Sequence, residues 1–181
     1  MYGMVNHGIQ SLIISKFGQK DWDEICQLAG QTDTDFESMI TYPDTVTYDL
    51  VGAISKKYNL PAEEVLKLFG DYWVDYSSET VIGKLFDFSG HEIMEFLESL
   101  NEMHERIKMS MPHLKPPVFE FEEVEDNTHL LHYSSDREGL EPMVIGLLEG
   151  LGRKHNVTIE ITQLDQPLYE SVRASFSLKI S

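Results

Sequence analysis

Pro116-Pro117-Val118-Phe119-Glu120-Phe121-Glu122-Glu123-Val124-Glu125-Asp126-Asn127-Thr128-His129-Leu130-Leu131-His132-Tyr133 is where this chain changes character. Upstream, apolar residues recur every three or four positions, the helical period. From Val118 onward they alternate, the strand period. Val118 to Val124 and Thr128 to Tyr133 read as two strands joined by an acidic turn at Asp126-Asn127. Further on, Gly139 to His155 reads as a helix, with Leu140, Met143, Val144, Leu147, Leu148 and Leu151 apolar. The stretches from Val157 to Gln163 and Ser171 to Ile180 alternate again. Two hairpins flanking a helix give an antiparallel sheet packed on helices, so the fold class is α+β with a four-stranded sheet.

The segment before Pro116 is helical. Ile9, Leu12, Ile13 and Phe17 share a face, and Gly18 stops that helix. Trp22, Ile25, Cys26 and Leu28 mark a second, short helix. Asp44 to Leu60 reads as a third, with Val46, Leu50, Val51, Ile54 and Tyr58 on one side. Pro61 suits the first residue of the next, which carries Val65, Leu66 and Leu68. Tyr72 to Phe86 reads as a separate helix broken near Gly83. The longest is expected to start at Ser89, with Glu92 at capping-box spacing, and to end at Pro112. The domain reading is a single domain, 1–181, with a helical part over about 1–65 and a part holding the long helix and the sheet over about 66–181.

Composition narrows the function. A chain of 181 residues can bury a sizeable core. Its net charge of -17 argues against nucleic acid and anionic membrane surfaces as partners, and is compatible with a basic protein partner or with solubility alone. Cys26 is the only cysteine, which excludes an intrachain disulfide and a cysteine-rich zinc site. No basic stretch leads into an apolar signal region, and no apolar run approaches a membrane span, so a cytoplasmic protein is expected.

Two features carry chemistry. The first is His104, which stands where leucine is the default on the stripe Ile93, Leu97, Leu100, His104, Ile107. A core histidine satisfied by a neighbouring carbonyl is the competing reading. A neutral imidazole facing a core is also the usual proximal ligand of haem iron in binding haemoproteins, and a single such ligand leaves the opposite iron face open. The second is Tyr133-Ser134-Ser135-Asp136-Arg137. In an extended segment Tyr133, Ser135 and Arg137 share a face. A guanidinium fork and two hydroxyls there suit a doubly anionic propionate edge, although a strand end with an exposed salt bridge is as good a reading of those residues alone.

With these pieces in hand, the chain resembles the H-NOX (haem nitric oxide/oxygen-binding) family, which includes the sensory domain of soluble guanylate cyclase. The resemblance covers essentially the whole chain: Met1-Tyr2-Gly3-Met4-Val5-Asn6, Asn101-Glu102-Met103-His104, Pro116-Pro117, and Leu131 through Leu140 in order. It implies haem b (iron protoporphyrin IX) held between a helical subdomain and the sheet-bearing one. By resemblance His104 is the proximal iron ligand, and Tyr133, Ser135 and Arg137 form the propionate-binding motif. Pro117 presses the porphyrin out of plane, while Val5, Met143 and Leu147 line the distal pocket.

The same resemblance bears on the gas. O2-binding members carry a tyrosine hydroxyl where Met143 stands here, with Pro142 beside it, and neither residue donates a hydrogen bond. O2 on ferrous iron gains negative charge and depends on a donor, whereas NO does not. The chain is therefore expected to bind NO and CO and to exclude O2, unless Tyr72 or Trp73 reaches the iron. Free-standing members act with a histidine kinase or a cyclic-di-GMP enzyme, so such a partner is implied. A non-enzymatic sensor is expected. The alternative is a small haem enzyme of peroxidase or oxygenase type, or an O2-binding haemoprotein; peroxide chemistry needs distal acid/base groups, and the distal candidates here are apolar. His7, His91, His113, His129, His132 and His155 show no metal-ligand spacing, and Asp33/Glu37 and Glu120/Glu122/Glu123 read as solvated acidic faces.

Overall fold

In the computed structural model, residues 1–80, 82–86, 92–125 and 127–181 are described. Their chain contacts divide it into two compact units, Met1–Phe69 and Gly70–Ser181.

The first unit is built from α1 (Gly3–Phe17), α2 (Gln19–Leu28), α3 (Asp44–Tyr58) and the start of α4 (Ala62–Ser78). Most residues chosen by helical period bury, but Phe17, Leu28 and Leu68 are exposed. Ile9, Leu12 and Ile13 of α1, Trp22, Ile25 and Cys26 of α2, and Leu50, Val51 and Ile54 of α3 are all buried. Each such large apolar side chain contributes about 1.5–3 kcal/mol on removal from water. Several polar groups inside this unit are tied, while Asn6 Nδ2 and Gln10 Oε1 are buried without a hydrogen bond. Trp22 donates its indole N–H to the Thr34 carbonyl at 2.6 Å, and Thr47 donates to Asn6 Oδ1 at 2.6 Å in full burial. Helix α3 stops two residues earlier than its apolar pattern suggests, because Asn59 takes the left-handed conformation at φ 54°.

The second unit holds the rest of α4, α5 (Gly83–Phe86), α6 (Ile93–Ser110), β1 (Val118–Glu125), β2 (Thr128–Ser134), α7 (Glu141–His155), β3 (Ile159–Gln163) and β4 (Ala174–Ile180). The four strands form one sheet in the order β1-β2-β4-β3, every neighbour antiparallel. Both hairpins read from the sequence are present, joined through β2 and β4, and the α+β class holds. Phe119, Leu131, Tyr133, Phe176 and Leu178 alternate onto one buried face. Helix α6 packs against β1 and α7 against β3.

Three expectations change. Residues 62–78 form one helix rather than two. Gly70 does not break it; a Cβ there would lie 2.2 Å from the Met143 carbonyl oxygen, so the glycine admits the backbone of α7. Helix α6 begins at Ile93, with Glu92 at its N-cap and no side-chain cap bond. Ser89, the expected cap, and His91 lie outside the described residues, as does Asp126 of the predicted turn. Helix α7 starts at Glu141 rather than Gly139, because Gly139 adopts φ 73° and Leu140 becomes the N-cap.

Candidate functional site

His104 occupies the last-but-one turn of α6. The fully buried residue at that level is its neighbour Met103; His104 itself is half-buried on the flank, with its ring centroid 6.2 Å from that of Phe119. Its Nδ1 is buried and makes no hydrogen bond. Burial holds the imidazole below its ordinary range, against the backbone of Pro117 and the charge of Glu105, which both pull it up. The ring is therefore kept neutral, the state in which a histidine nitrogen can give its lone pair to a metal.

The strand facing His104 is fixed by a side chain. Asn101, one turn earlier on α6, donates from Nδ2 to the Phe119 carbonyl at 2.6 Å and accepts from the Phe119 N–H at Oδ1 at 3.0 Å. The Phe119 ring in turn lies 5.7 Å from the ring of Tyr133, which is 2% exposed. His104, Phe119 and Tyr133 thus form a continuous row of rings from α6 across β1 to β2.

Ser135 and Arg137 are joined to each other, but not by strand alternation, while the Tyr133 ring lies against Phe119. Strand β2 ends at Ser134. Beyond it the Ser135 hydroxyl accepts from the Arg137 backbone N–H at 3.1 Å, a local bond that turns the chain. Arg137 Nη1 donates to the Lys115 carbonyl at 2.8 Å, which ties this turn to the segment leading into Pro116-Pro117. Arg173, a residue that sequence reasoning missed, fastens the other side. Its Nε donates to the Ser135 carbonyl at 2.7 Å, its backbone N–H to the Tyr133 carbonyl at 2.8 Å, and its Nη1 reaches Glu138 at 3.2 Å. Nothing local in the sequence marks that role, because the partners lie 35 and 38 residues away.

The other expected residues fall in both units. Pro117 is half-buried just before β1. Met143 and Leu147 lie one turn apart on α7, both half-buried, and their backbone meets Gly70 of α4. Val5 is half-buried on α1 of the first unit. Tyr72 and Trp73, the candidate donors, each pack against Tyr76, at 6.1 and 5.5 Å between ring centroids. Among the described residues no cluster of three or more His, Cys, Asp or Glu could hold a metal ion, and no helix is long and apolar enough to cross a membrane.

The family model described as haem-NO-binding matches residues 2–163. Soluble guanylate cyclase gcy-37 of Caenorhabditis elegans is 30% identical over 156 residues, which is 84% of this chain and 22% of that protein. Soluble guanylate cyclase 89Db of Drosophila melanogaster is 24% identical over 154 residues, 85% of this chain and 23% of that protein. The chain thus spans under a quarter of the length of these relatives. Among solved structures, an H-NOX protein from S. oneidensis in the Fe(II)NO ligation state has a TM-score of 0.87 at 17% identity, covering 100% of this chain and 99% of that one. The Fe(II) unliganded H-NOX protein from K. algicida gives 0.82 at 20% identity, over 100% of this chain and 97% of that one. At those identities the structural likeness shows the fold. The family match runs through His104, Pro117 and the Tyr133–Arg137 turn alike, so the chain belongs to the haem-NO-binding (H-NOX) family, a family of gas sensors whose cofactor is haem.

Proposed function

We propose that this chain binds NO and CO through haem held by His104, excludes O2, and passes the signal to a partner protein, a histidine kinase or a cyclic-di-GMP enzyme. Haem iron held on one face by a single imidazole offers its other face to a diatomic gas.

The fit to haem rests on His104. Its ring is held neutral and its Nδ1 is dry and unpartnered, next to the backbone of Pro117. That leaves Nε2 as the ligand nitrogen, with the Nδ1 side directed at the protein. Tyr133, Ser135 and Arg137 would hold the two propionates. Of these Arg137 supplies the charge, and the turn fixed by Ser135 and Arg173 sets its direction. Pro117 would bear on the macrocycle; its rigid ring cannot yield as a flexible side chain does.

The choice of gas rests on one observation. Met143 and Leu147 present a thioether and an isobutyl group on the half-buried face of α7, and the α7 backbone there is held against Gly70. Neither side chain donates a hydrogen bond. O2 needs such a donor, and a hydrogen bond to a charged group contributes roughly 1.5–3 kcal/mol, tenfold or more in affinity. NO needs none.

The test is a visible spectrum. The reduced protein should take up NO and CO with distinct Soret shifts and show no stable oxygenated band when exposed to air. A persistent oxygenated spectrum would show that a donor other than Met143 serves the distal side. Steady peroxide turnover would favour the haem-enzyme alternative.

A further inference from the structure

We propose that Asn101 is a positioning residue for the imidazole of His104, acting through a two-point clasp on the backbone of Phe119; this rests on the reading of His104 as the iron ligand.

Strand β1 is an edge of the sheet. Phe119 pairs with Tyr133 in the register, but the Tyr133 carbonyl is used on the β4 side, by Arg173. The Phe119 N–H and C=O likewise point away from β2, as expected for a non-hydrogen-bonded antiparallel pair. An edge residue of this kind offers one donor and one acceptor side by side. The Asn101 carboxamide answers with one acceptor and one donor, at 3.0 and 2.6 Å. A carboxylate could supply only the acceptor, and a hydroxyl could not span both. The amide orientation follows from this pairing, because only one assignment of N and O satisfies both bonds.

The clasp sits where it can aim the ring. Asn101 and His104 are three residues apart on α6 and so share a face. Phe119, the residue clasped, is the ring that His104 lies against at 6.2 Å. Pro117, whose backbone bears on the His104 ring, is two residues upstream of Phe119 on the same segment. One side chain therefore fixes the distance of α6 from β1, the surface that the imidazole rests on, and the proline next to it.

The need for such a device is visible at Nδ1. A ligating histidine is usually oriented by a hydrogen bond from its second nitrogen. Here that nitrogen has no hydrogen bond. The direction of the ring is set by the backbone of Pro117 and by packing against Phe119, both on the segment that Asn101 clasps.

Three haem-loaded, full-length proteins test this: wild type, Asn101→Ala and Asn101→Asp. The first measurement is backbone amide exchange at Phe119, which reads the clasp without reference to iron. It should speed up by about tenfold in Asn101→Ala, which removes the acceptor of the Phe119 N–H, and stay near the wild-type rate in Asn101→Asp, which keeps it. The second is the iron–histidine stretching band in the resonance Raman spectrum of the ferrous protein without gas. It should shift and broaden in both variants while haem content stays near that of the wild type. A role in stability alone would accelerate exchange yet leave the band in place, and that outcome overturns the proposal. So does unchanged exchange at Phe119 in Asn101→Ala. Absence of an iron–histidine band in the wild type would instead overturn the assignment of His104, with the exchange data still standing on their own. If Asn101→Ala does not fold, Asn101→Asp carries the test through the iron–histidine band, which should still shift, since that variant keeps the acceptor for the Phe119 N–H and loses only the donor to its carbonyl.

Discussion

The two ends of the proposed haem site are built by opposite means. At Arg137 position is set by direct hydrogen bonds. The guanidinium holds the Lys115 carbonyl, the Ser135 hydroxyl takes the Arg137 N–H, and Arg173 holds the Ser135 carbonyl and Glu138. At His104 the ring makes no hydrogen bond through Nδ1 and is placed by what surrounds it. The difference follows from what each end must do. An anchor for anions works by charge and donors, and extra hydrogen bonds only stiffen it. A ligand nitrogen works by its lone pair, which a competing donor or a proton would consume.

The largest test of this contrast is His104→Gly. The proximal end has a single member, so its loss should leave purified protein with little or no haem, and added imidazole should restore the Soret band by occupying the vacated space. No second histidine faces the Phe119 ring among the described ring contacts. Wild-type haem content and NO binding in that variant would remove His104 from the site.

The anchor end should respond in grades, because it is shared. Arg137→Ala removes charge and several donors and should raise the haem-loss rate by about tenfold or more, on the scale of charge-assisted hydrogen bonds. Ser135→Ala removes one neutral bond and should raise it only a few fold. Arg173→Ala should fall between the two, since it loosens the Ser135 turn from its other side. Stopped-flow transfer of haem to an excess of a haem acceptor protein measures all three. Equal rates in every variant would separate this turn from haem retention.

Much of this architecture is legible in the residues, and the exceptions have physical causes. Alternation from Val118 to Tyr133 marks a hairpin because Phe119, Leu131 and Tyr133 bury on one face while Val118 and Val124 stay exposed on the other. Gly70 carries no readable role because it admits the close approach of α7, and that partner is remote in sequence. The Y-x-S-x-R residues are legible as chemistry, but their geometry is not: the strand ends at Ser134, and a serine-bonded turn joins Ser135 to Arg137 instead. Asn101 and Arg173 carry no local signal at all. Each acts on backbone groups 18 or more residues away, and such pairings have no periodicity to read.

The smallest test uses acid. Desolvation lowers the folded-state pKa of His104 below its ordinary value of 6.5. Between those two values the unfolded chain binds a proton that the folded protein refuses. Stability therefore rises with pH across this window: the contribution is fully present above 6.5 and is lost as pH falls toward the folded-state value. Haem-free wild type should lose stability on acidification from pH 6.5 more steeply than haem-free His104→Leu, by at most about 1.4 kcal/mol per pH unit for a single proton. The remaining histidines and the carboxylates are common to both proteins and cancel in the difference. Arg137→Ala should run parallel to wild type over the same range, because a guanidinium does not titrate there. Urea midpoints at closely spaced pH values would measure the slopes. Parallel lines for wild type and His104→Leu would mean that the ring is wet enough to protonate freely, and the contrast between a dry proximal end and a hydrogen-bonded anchor would fail at its first premise.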